Sequence, residues 1–496
     1  MNLHGAATAA LFTGAVAACA FLVQQFLGPF NFHSAEFGIF LVLAVGLYWT
    51  LADRRSPRNL FLLGASVVFY ASYTWWYLGL ILFSTLLDYR CGRVIAHSPV
   101  QRHRLLALLA SLGGNLGLLG FFKYYDWGVE SLQLGLAAVG VEVDPWLLNQ
   151  AVPVGISFYT FQTLSYTIDI YRGVLQPARN LREFALFVCF FPQLVAGPIV
   201  RAREFLPQLE LVPRFSRARL HDGLYRMGVG LAKKVLVADV LRFYLVDPVY
   251  ARPDEYAPLI HLAALYAFGF QIYFDFSGYS DIAIGAGRLL GFDLPENFNG
   301  PFKARSFREF WRRWHITLSS WVRDYLYFPL GGSRCSEWKV ARNLLVTMLI
   351  IGLWHGASSL WACYGLLNGT VMIVERRLEA LRGGRPFAVG LLRNAVSWVL
   401  TYHLLILSFL FIRAQSWGEI GGVVGVFGEG YGISHWAWIA LAAGAVTHFP
   451  PRWLHDGFQR FVCSLPTAVV GALLGILVGI LVYLSLPQAP FIYFQF

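Results

Sequence analysis

Residues 105–122, LLALLASLGGNLGLLGFF, run for eighteen positions without a charged side chain, and comparable runs recur along the chain between clusters of arginine. A segment of that length crosses bilayer hydrocarbon as a helix, whereas barrel strands would show as alternating segments of about ten residues. With 57% hydrophobic and 14% charged residues and a mean hydropathy of +0.55, the chain carries more apolar surface than a soluble fold could bury. The expectation is an all-α polytopic helical membrane protein, one membrane domain over 1–496, with about eleven to thirteen membrane segments counting re-entrant ones.

The formal charge of +11 does not point to nucleic acid, because the basic residues cluster at the ends of apolar runs, as the positive-inside bias requires. Cys19, Cys91, Cys189, Cys335, Cys363 and Cys463 are scattered, with no CxxC pair, so neither a disulfide framework nor a metal centre is expected. The N-terminal run imitates a signal peptide, and VAAC at 16–19 resembles a lipoprotein box. It lacks a basic flank, so an uncleaved first span or re-entrant segment is expected.

Further along, 37–51 is a second apolar run, and 60–87 reads as two short helices meeting at an aromatic turn, Tyr73 to Tyr77. Residues 105–122 cross outward, 123–149 form an external connection, and 151–170 cross back. That returning span carries Ser157, Tyr159, Gln162, Ser165, Tyr166 and Asp169, which either bond between helices or line a polar cavity. Residues 184–200, broken by Pro192, Gly197 and Pro198, read as a re-entrant element, and 214–234 as a basic surface helix. In 259–290, Asp275 and Asp281 stand in an apolar run. Pairing with Arg288 or the Arg305 group, or a catalytic role, would account for them. GAGRLLG misses nucleotide-loop spacing and follows no strand. The runs 396–411, 436–446 and 469–486 are further passes.

The reactive stretch is 301–369. As one continuous helix, 307–325 places Phe307, Phe310, Trp311, Trp314, Leu318, Trp321 and Tyr325 on one face. Arg308, Arg312, Ser319 and Arg323 fall on the flank, and His315 lies on the seam. The arginines suit phosphates, those of lipid headgroups or of a donor such as coenzyme A. A second helix starting near Asn343 would carry His355 about 18 Å inward, near mid-membrane. Burial there favours the neutral ring that a general base needs. Gly356 and Ala357 permit close approach. His261, His403 and His448 lack such a context and read as packing histidines. No GxSxG or HExxH motif competes.

FREFWRRWHITLSSWVRDYLYFPLGGSR followed by GLWHGAS closely resembles the membrane-bound O-acyltransferases, and within them the bacterial polysaccharide branch typified by the membrane subunit of alginate O-acetylation. PVGISFYTFQTLSYTIDIYRG (153–173), FFPQLVAGPIVR (190–201) and FDFSGYSDIAIGAGRLLGFDLPENFNGPF (274–302) extend the match, so 153–369 is the motif-bearing core. The resemblance implies His355 of WHG as the catalytic residue and His315 of WRRWH as its partner. It also implies helices around a tunnel in which acetyl-CoA, or another thioester donor, is bound only transiently. Candidates for lining that tunnel are Trp311, Arg312, Ser319, Trp354, Tyr273, Asp275, Ser277, Gln162, Tyr166, Gln193 and Asn368; the last departs from the histidine common in relatives. The implied activity moves an acyl group, acetyl first, from the cytoplasm to a hydroxyl of an extracytoplasmic polysaccharide or of a partner protein. His355 would take the hydroxyl proton, with His315 orienting or polarising one reactant, and an acyl-histidine intermediate is the variant. The implied setting is the bacterial inner membrane, with a periplasmic SGNH-like or alginate-modifying partner. D-alanyl transfer, a glycan or lipid transporter, and a scaffold for a soluble acetyltransferase are the rival readings.

Overall fold

The computed structural model describes residues 29–195, 197–383, 390–425, 434–484 and 491. Among them the secondary structure is helical, without a strand. The expected first segment within 1–28, with its VAAC box, and the end of the 469–486 pass lie outside the described residues. The chain divides into two compact units, Met1–Leu220 with Ala286–Leu294, and His221–Gly285 with Pro295–Phe496.

In the first unit, α1 (Ala35–Thr50) is capped by the Ser34 hydroxyl, which accepts the Phe37 amide at 3.2 Å. The run 60–87 lies in two helices, α2 (Arg55–Thr74) and α3 (Leu78–His97), joined at Trp75–Tyr77. They break where Thr74 turns extended, at φ −160 and ψ 103. Next, α4 (Gln101–Leu119) passes through a π-helical turn, Gly120–Tyr124, straight into α5 (Tyr125–Ala137). The expected external connection at 123–149 is therefore helical in its first half. No proline interrupts it, and the chain turns only at Gly140, φ +83.

α6 (Ile156–Tyr171) follows Gly155, whose φ of +77 and close approach to the Leu194 carbonyl, 2.7 Å from where a Cβ would sit, leave room for glycine alone. α7 (Leu181–Cys189) is capped by Asn180, kinks at Phe190 and resumes for one turn over Phe191–Leu194 around Pro192. Phe184, Phe187, Phe190, Phe191 and Leu194 are fully buried, so this broken backbone is covered by protein. Between α3, α4 and α6 runs a polar seam. Asn115 donates to Asp88 at 2.8 Å, Thr163 donates to Asn115 at 3.4 Å, and Ser111 and Thr167 bond at 2.9 Å. A buried carboxylate in an apolar helix is satisfied by its neighbours.

The second unit holds most of α8 (Arg217–Leu231) and α9 (Pro258–Leu289), from His221 and up to Gly285. Added Cβ atoms at Gly230 and Gly278 would lie 2.6 and 2.7 Å from each other's carbonyl oxygens, so the two backbones touch there. This contact packs one face of the basic helix expected over 214–234, while its start at 214–218 is largely exposed. It brings Lys234, 2% exposed, onto Asp239 and Asp275, each at 2.7 Å. It also gives Asp281 to Arg226 at 2.9 Å and Lys233 at 2.6 Å, rather than to Arg288 or the Arg305 group. GAGRLLG is the C-terminal part of α9 and the turn after it, not a nucleotide loop.

The chain continues through α10 (Phe307–Trp311), α11 (Ile316–Val322), α12 (Glu337–His355), α13 (Ser359–Leu381), α14 (Leu391–Ser408), α15 (Trp417–Gly425), α16 (His435–His448), α17 (Arg452–Ser464) and α18 (Thr467–Leu484). Four described stretches are long and apolar enough to cross a membrane: Arg55–His97, Gln101–Ala137, Pro258–Leu289 and Leu391–Arg413. A fifth is the pair Arg452–Ser464 and Thr467–Leu481, bent by 116°. The larger expected number also counts short and broken segments such as α1 and 184–200.

α12 and α13 form a hairpin whose helices meet through glycine. A Cβ at Gly352 would overlap the Trp361 carbonyl, and one at Gly365 the Met348 carbonyl. Gly365→Leu is therefore expected to pry the hairpin open and cost about 1–3 kcal/mol, read as a lower thermal midpoint of the purified protein. Gly113→Ala, where the added atom meets nothing within 4 Å, is expected to leave the midpoint in place.

Candidate active site

The WRRWH segment is two short helices, α10 and α11, rather than the single helix its periodicity predicts. Ser306 caps α10 by accepting the Glu309 amide at 3.1 Å. His315 then takes a left-handed conformation, φ +42 and ψ 54, at the head of α11. Such a backbone costs a non-glycine residue about 1–3 kcal/mol and persists only where its surroundings enforce it. Here they do: the Ile316 amide donates to the Asn297 carbonyl and the Asn299 amide to the Arg313 carbonyl, both at 2.9 Å. The seam position assigned to His315 on a continuous helix is thus replaced by a strained corner, fully buried.

That corner fixes the ring's proton. The Thr317 backbone N–H, which can only donate, points at Asn297 Oδ1 at 3.3 Å, and the Thr317 hydroxyl lies 2.9 Å from the same atom. The Asn297 amide nitrogen donates to Ser280 Oγ at 3.2 Å. The atom 3.1 Å from His315 Nδ1 is therefore oxygen. Nδ1 carries the hydrogen and Nε2 the lone pair. Burial lowers the His315 pKa to about 3, which keeps the ring neutral. Asn297 and Ser280 were missed by the sequence reading. Their only signal was that both lie inside the run 274–302.

His355 is the last residue of α12, because Gly356 turns extended at φ −152 and ψ 142. The helix begins at Glu337, not near Asn343, so the histidine sits at the tip of the hairpin, about 27 Å along it, rather than partway down an apolar helix. Its ring is 4% exposed, stacks on Trp361 at 5.4 Å and 24° and lies 6.4 Å, centroid to centroid, from His315. Trp354 packs against both histidines, at 4.8 and 6.0 Å, and Phe276 stands edge-on to His315 at 4.7 Å. Trp361 is a second partner that sequence reasoning did not single out. The Ser358 hydroxyl, which accepts the Trp361 amide at 3.4 Å, starts the helix that carries it.

The other candidates divide. Trp311 Nε1 donates to Asn368 Oδ1 at 3.3 Å, and Asn368 donates to the Tyr364 carbonyl at 2.9 Å, which ties α10 to α13. Ser319 donates to the Trp314 carbonyl at 3.1 Å and Asp275 is paired with Lys234. Arg312 is exposed, whereas Arg308 pairs with Glu379 and Arg323 with Asp324. Tyr273 packs edge-on to His448 at 4.8 Å, and Ser277 is buried nearby on the same helix. His261 bonds the Pro253 carbonyl and His403 the Val399 carbonyl, at 2.9 and 2.7 Å. Gln162, Tyr166 and Gln193 belong to the first unit. There the Tyr166 hydroxyl accepts the Ala178 amide at 3.1 Å and Gln193 donates to the Phe187 carbonyl at 2.7 Å. Both amide atoms of Gln162 and the Tyr159 hydroxyl are buried without a hydrogen-bond partner among the described residues. No metal-binding cluster occurs among the described residues.

The fold and site together are those of a helical, multi-pass membrane protein in which two buried histidines lie within 6.4 Å of each other. The chain belongs to the membrane-bound O-acyltransferase family, whose model matches residues 176–412. It is 40% identical over 391 residues to the probable alginate O-acetylase AlgI of Pseudomonas putida, covering 76% of each chain. It is 33% identical over 423 residues to the peptidoglycan O-acetyltransferase of Helicobacter pylori, covering 80% of this chain and 79% of that one. A teichoic acid D-alanyltransferase of Streptococcus thermophilus is 29% identical over 354 residues, 64% and 84% of the two chains. The protein is a multi-pass membrane O-acyltransferase, and the transporter and scaffold readings fall away.

Proposed function

We propose that the enzyme transfers an acetyl group from a cytoplasmic thioester, acetyl-CoA, to a hydroxyl of an extracytoplasmic polysaccharide or of a periplasmic SGNH-like or alginate-modifying partner. The inner membrane of a bacterium is the setting. The observation that carries this reading is the buried His315–His355 pair, with one ring's proton fixed by Asn297. Donor-side topology is supported by charge. Lys339 and Arg342 start α12, Arg376 and Arg377 lie near the end of α13, and Glu337 ties the two ends by bonding Arg376 at 2.8 Å. The positive-inside bias puts those ends in the cytoplasm and the His355 tip away from it. Acetyl is preferred to D-alanyl because the acetylases are the more similar relatives and cover more of this chain.

In the reaction, His355 accepts the proton of the acceptor hydroxyl as its oxygen attacks the thioester carbonyl carbon. The new C–O bond forms, the C–S bond breaks, and the thiolate takes up that proton. His315 cannot polarise the carbonyl, because that needs a donor and its remaining nitrogen is an acceptor. Its role is to orient, by holding a hydroxyl or N–H hydrogen on Nε2.

The test uses the full chain in lipid nanodiscs with radiolabelled acetyl-CoA and extracted periplasmic polymer. CoA release with label moving to the polymer, alone or once a periplasmic partner is added, is expected. Consumption of a D-alanyl carrier thioester, with acetyl-CoA untouched, would overturn the acetyl assignment.

A further inference from the structure

Asp88 stands within the apolar stretch Arg55–His97 and has no exposed surface. The Asn115 amide donates to both carboxyl oxygens, at 3.0 and 2.8 Å, and the Ser111 and Thr163 hydroxyls face the same group. All three neighbours are neutral. Among the described residues no lysine, arginine or histidine pairs with Asp88, whereas Asp239, Asp275 and Asp281 of the second unit each lie against a lysine. Hydrogen bonds satisfy the Asp88 oxygens but leave the charge unbalanced, which is costly inside a membrane.

The same helix places two more oxygens beside this carboxyl. Ser84 and Thr85 lie four and three residues before Asp88, on one face of α3, and helical side chains lean toward the N-terminus, so the carboxyl leans over them. A buried hydroxyl in a helix can donate to a carbonyl one turn back, as Ser66 does to Leu62 at 2.8 Å and Ser165 to Gln162 at 2.7 Å. Ser84 Oγ and Thr85 Oγ1 do not. Both are buried without a hydrogen-bond partner among the described residues, in side chains 0% and 2% exposed. Across the seam, Ser111 has Thr167 at 2.9 Å to take its hydrogen and Thr163 has the Thr160 carbonyl at 3.1 Å. Their oxygen lone pairs are left for a ligand.

One carboxylate with neutral oxygens from three helices is a hard donor set, without sulfur or imidazole, and suits an alkali or alkaline-earth cation. Charge chooses between those two. A monovalent ion cancels the single carboxylate, whereas a divalent ion would leave one positive charge uncompensated in the membrane. A water could bridge the hydroxyls but brings no charge.

We propose that Asp88, with the hydroxyls of Ser84, Thr85, Ser111 and Thr163, forms a binding site for one sodium ion, which joins α3, α4 and α6. Binding there stabilises the first unit and takes no part in the chemistry of the histidine pair.

The experiment places the purified full chain in lipid nanodiscs in sodium chloride or in N-methylglucamine chloride of equal ionic strength. The wild type is expected to bind about one radiosodium ion per chain and to melt about 2–4 °C higher in sodium, with a rise that saturates. Asp88→Asn keeps the shape and removes the charge, so it is expected to bind no radiosodium and to melt alike in both salts. Ser111→Ala removes one oxygen and is expected to need about tenfold more sodium for the same rise. It leaves the carboxylate in place, so it decides the matter if Asp88→Asn fails to accumulate. A wild type that melts alike in both salts and binds no radiosodium overturns the site. A midpoint that follows pH but not sodium gives the balancing charge to a proton and overturns the cation. A sodium response retained by Asp88→Asn, or unchanged in Ser111→Ala, places the ion elsewhere and overturns the assignment.

Discussion

His355→Ala is expected to lower acyl transfer by ~10²–10⁴-fold, the range that a positioned general base contributes, while the protein still accumulates in the membrane. The substitution also removes a ring stacked on Trp361 at 5.4 Å, worth about 0.5–1.5 kcal/mol, so alanine alone confounds chemistry with packing. His355→Phe separates them, because it keeps an aromatic surface against Trp361 and removes the nitrogen. Both variants are expected to be inactive, with the phenylalanine form nearer wild type in thermal stability. Measured initial rates in nanodiscs decide the matter. Full activity in His355→Phe, or loss confined to His315 variants, would remove His355 from the chemistry.

The second large effect concerns a proton. Asn297→Leu, which deletes the oxygen that orders His315, is expected to lower kcat ~10²-fold at every pH. Asn297→Asp keeps an oxygen facing the Thr317 amide and the His315 Nδ1–H but adds a negative charge, which raises the pKa of the ring. Below that raised value Nε2 carries a proton and its lone pair is lost. Activity of Asn297→Asp is therefore expected to be low in acid and to recover as pH rises, so the acid limb of the rate profile moves to higher pH. A purely structural asparagine would instead give a uniform loss with no shift. His315→Asn offers a control, since asparagine tolerates the left-handed backbone at φ +42. It should fold as well as wild type and yet be inactive.

Much of this was legible in the chain itself. Apolar runs between arginine clusters determined a helical membrane protein, because unsatisfied backbone is intolerable in hydrocarbon and helices satisfy it locally. The motif runs around His315 and His355 determined the family and put both histidines in view. Proline and glycine in 184–200 determined a broken, protein-covered element. Each of these signals is local, carried by residues close in sequence.

What only the tertiary structure decided comes from residues distant in sequence. Periodicity made 307–325 one helix, but the backbone bonds from the Asn297–Asn299 segment force His315 into a corner that no helical pattern encodes. The same segment chooses its tautomer, across a separation of 18 residues. Asp281 looked toward Arg288 by helix spacing, yet glycine-to-glycine contact between α8 and α9 brings it Arg226 and Lys233, 55 and 48 residues away. Local sequence sets which helices form, whereas the charges and protons inside a membrane protein are set by what the packed helices bring together, since only protein can solvate them there.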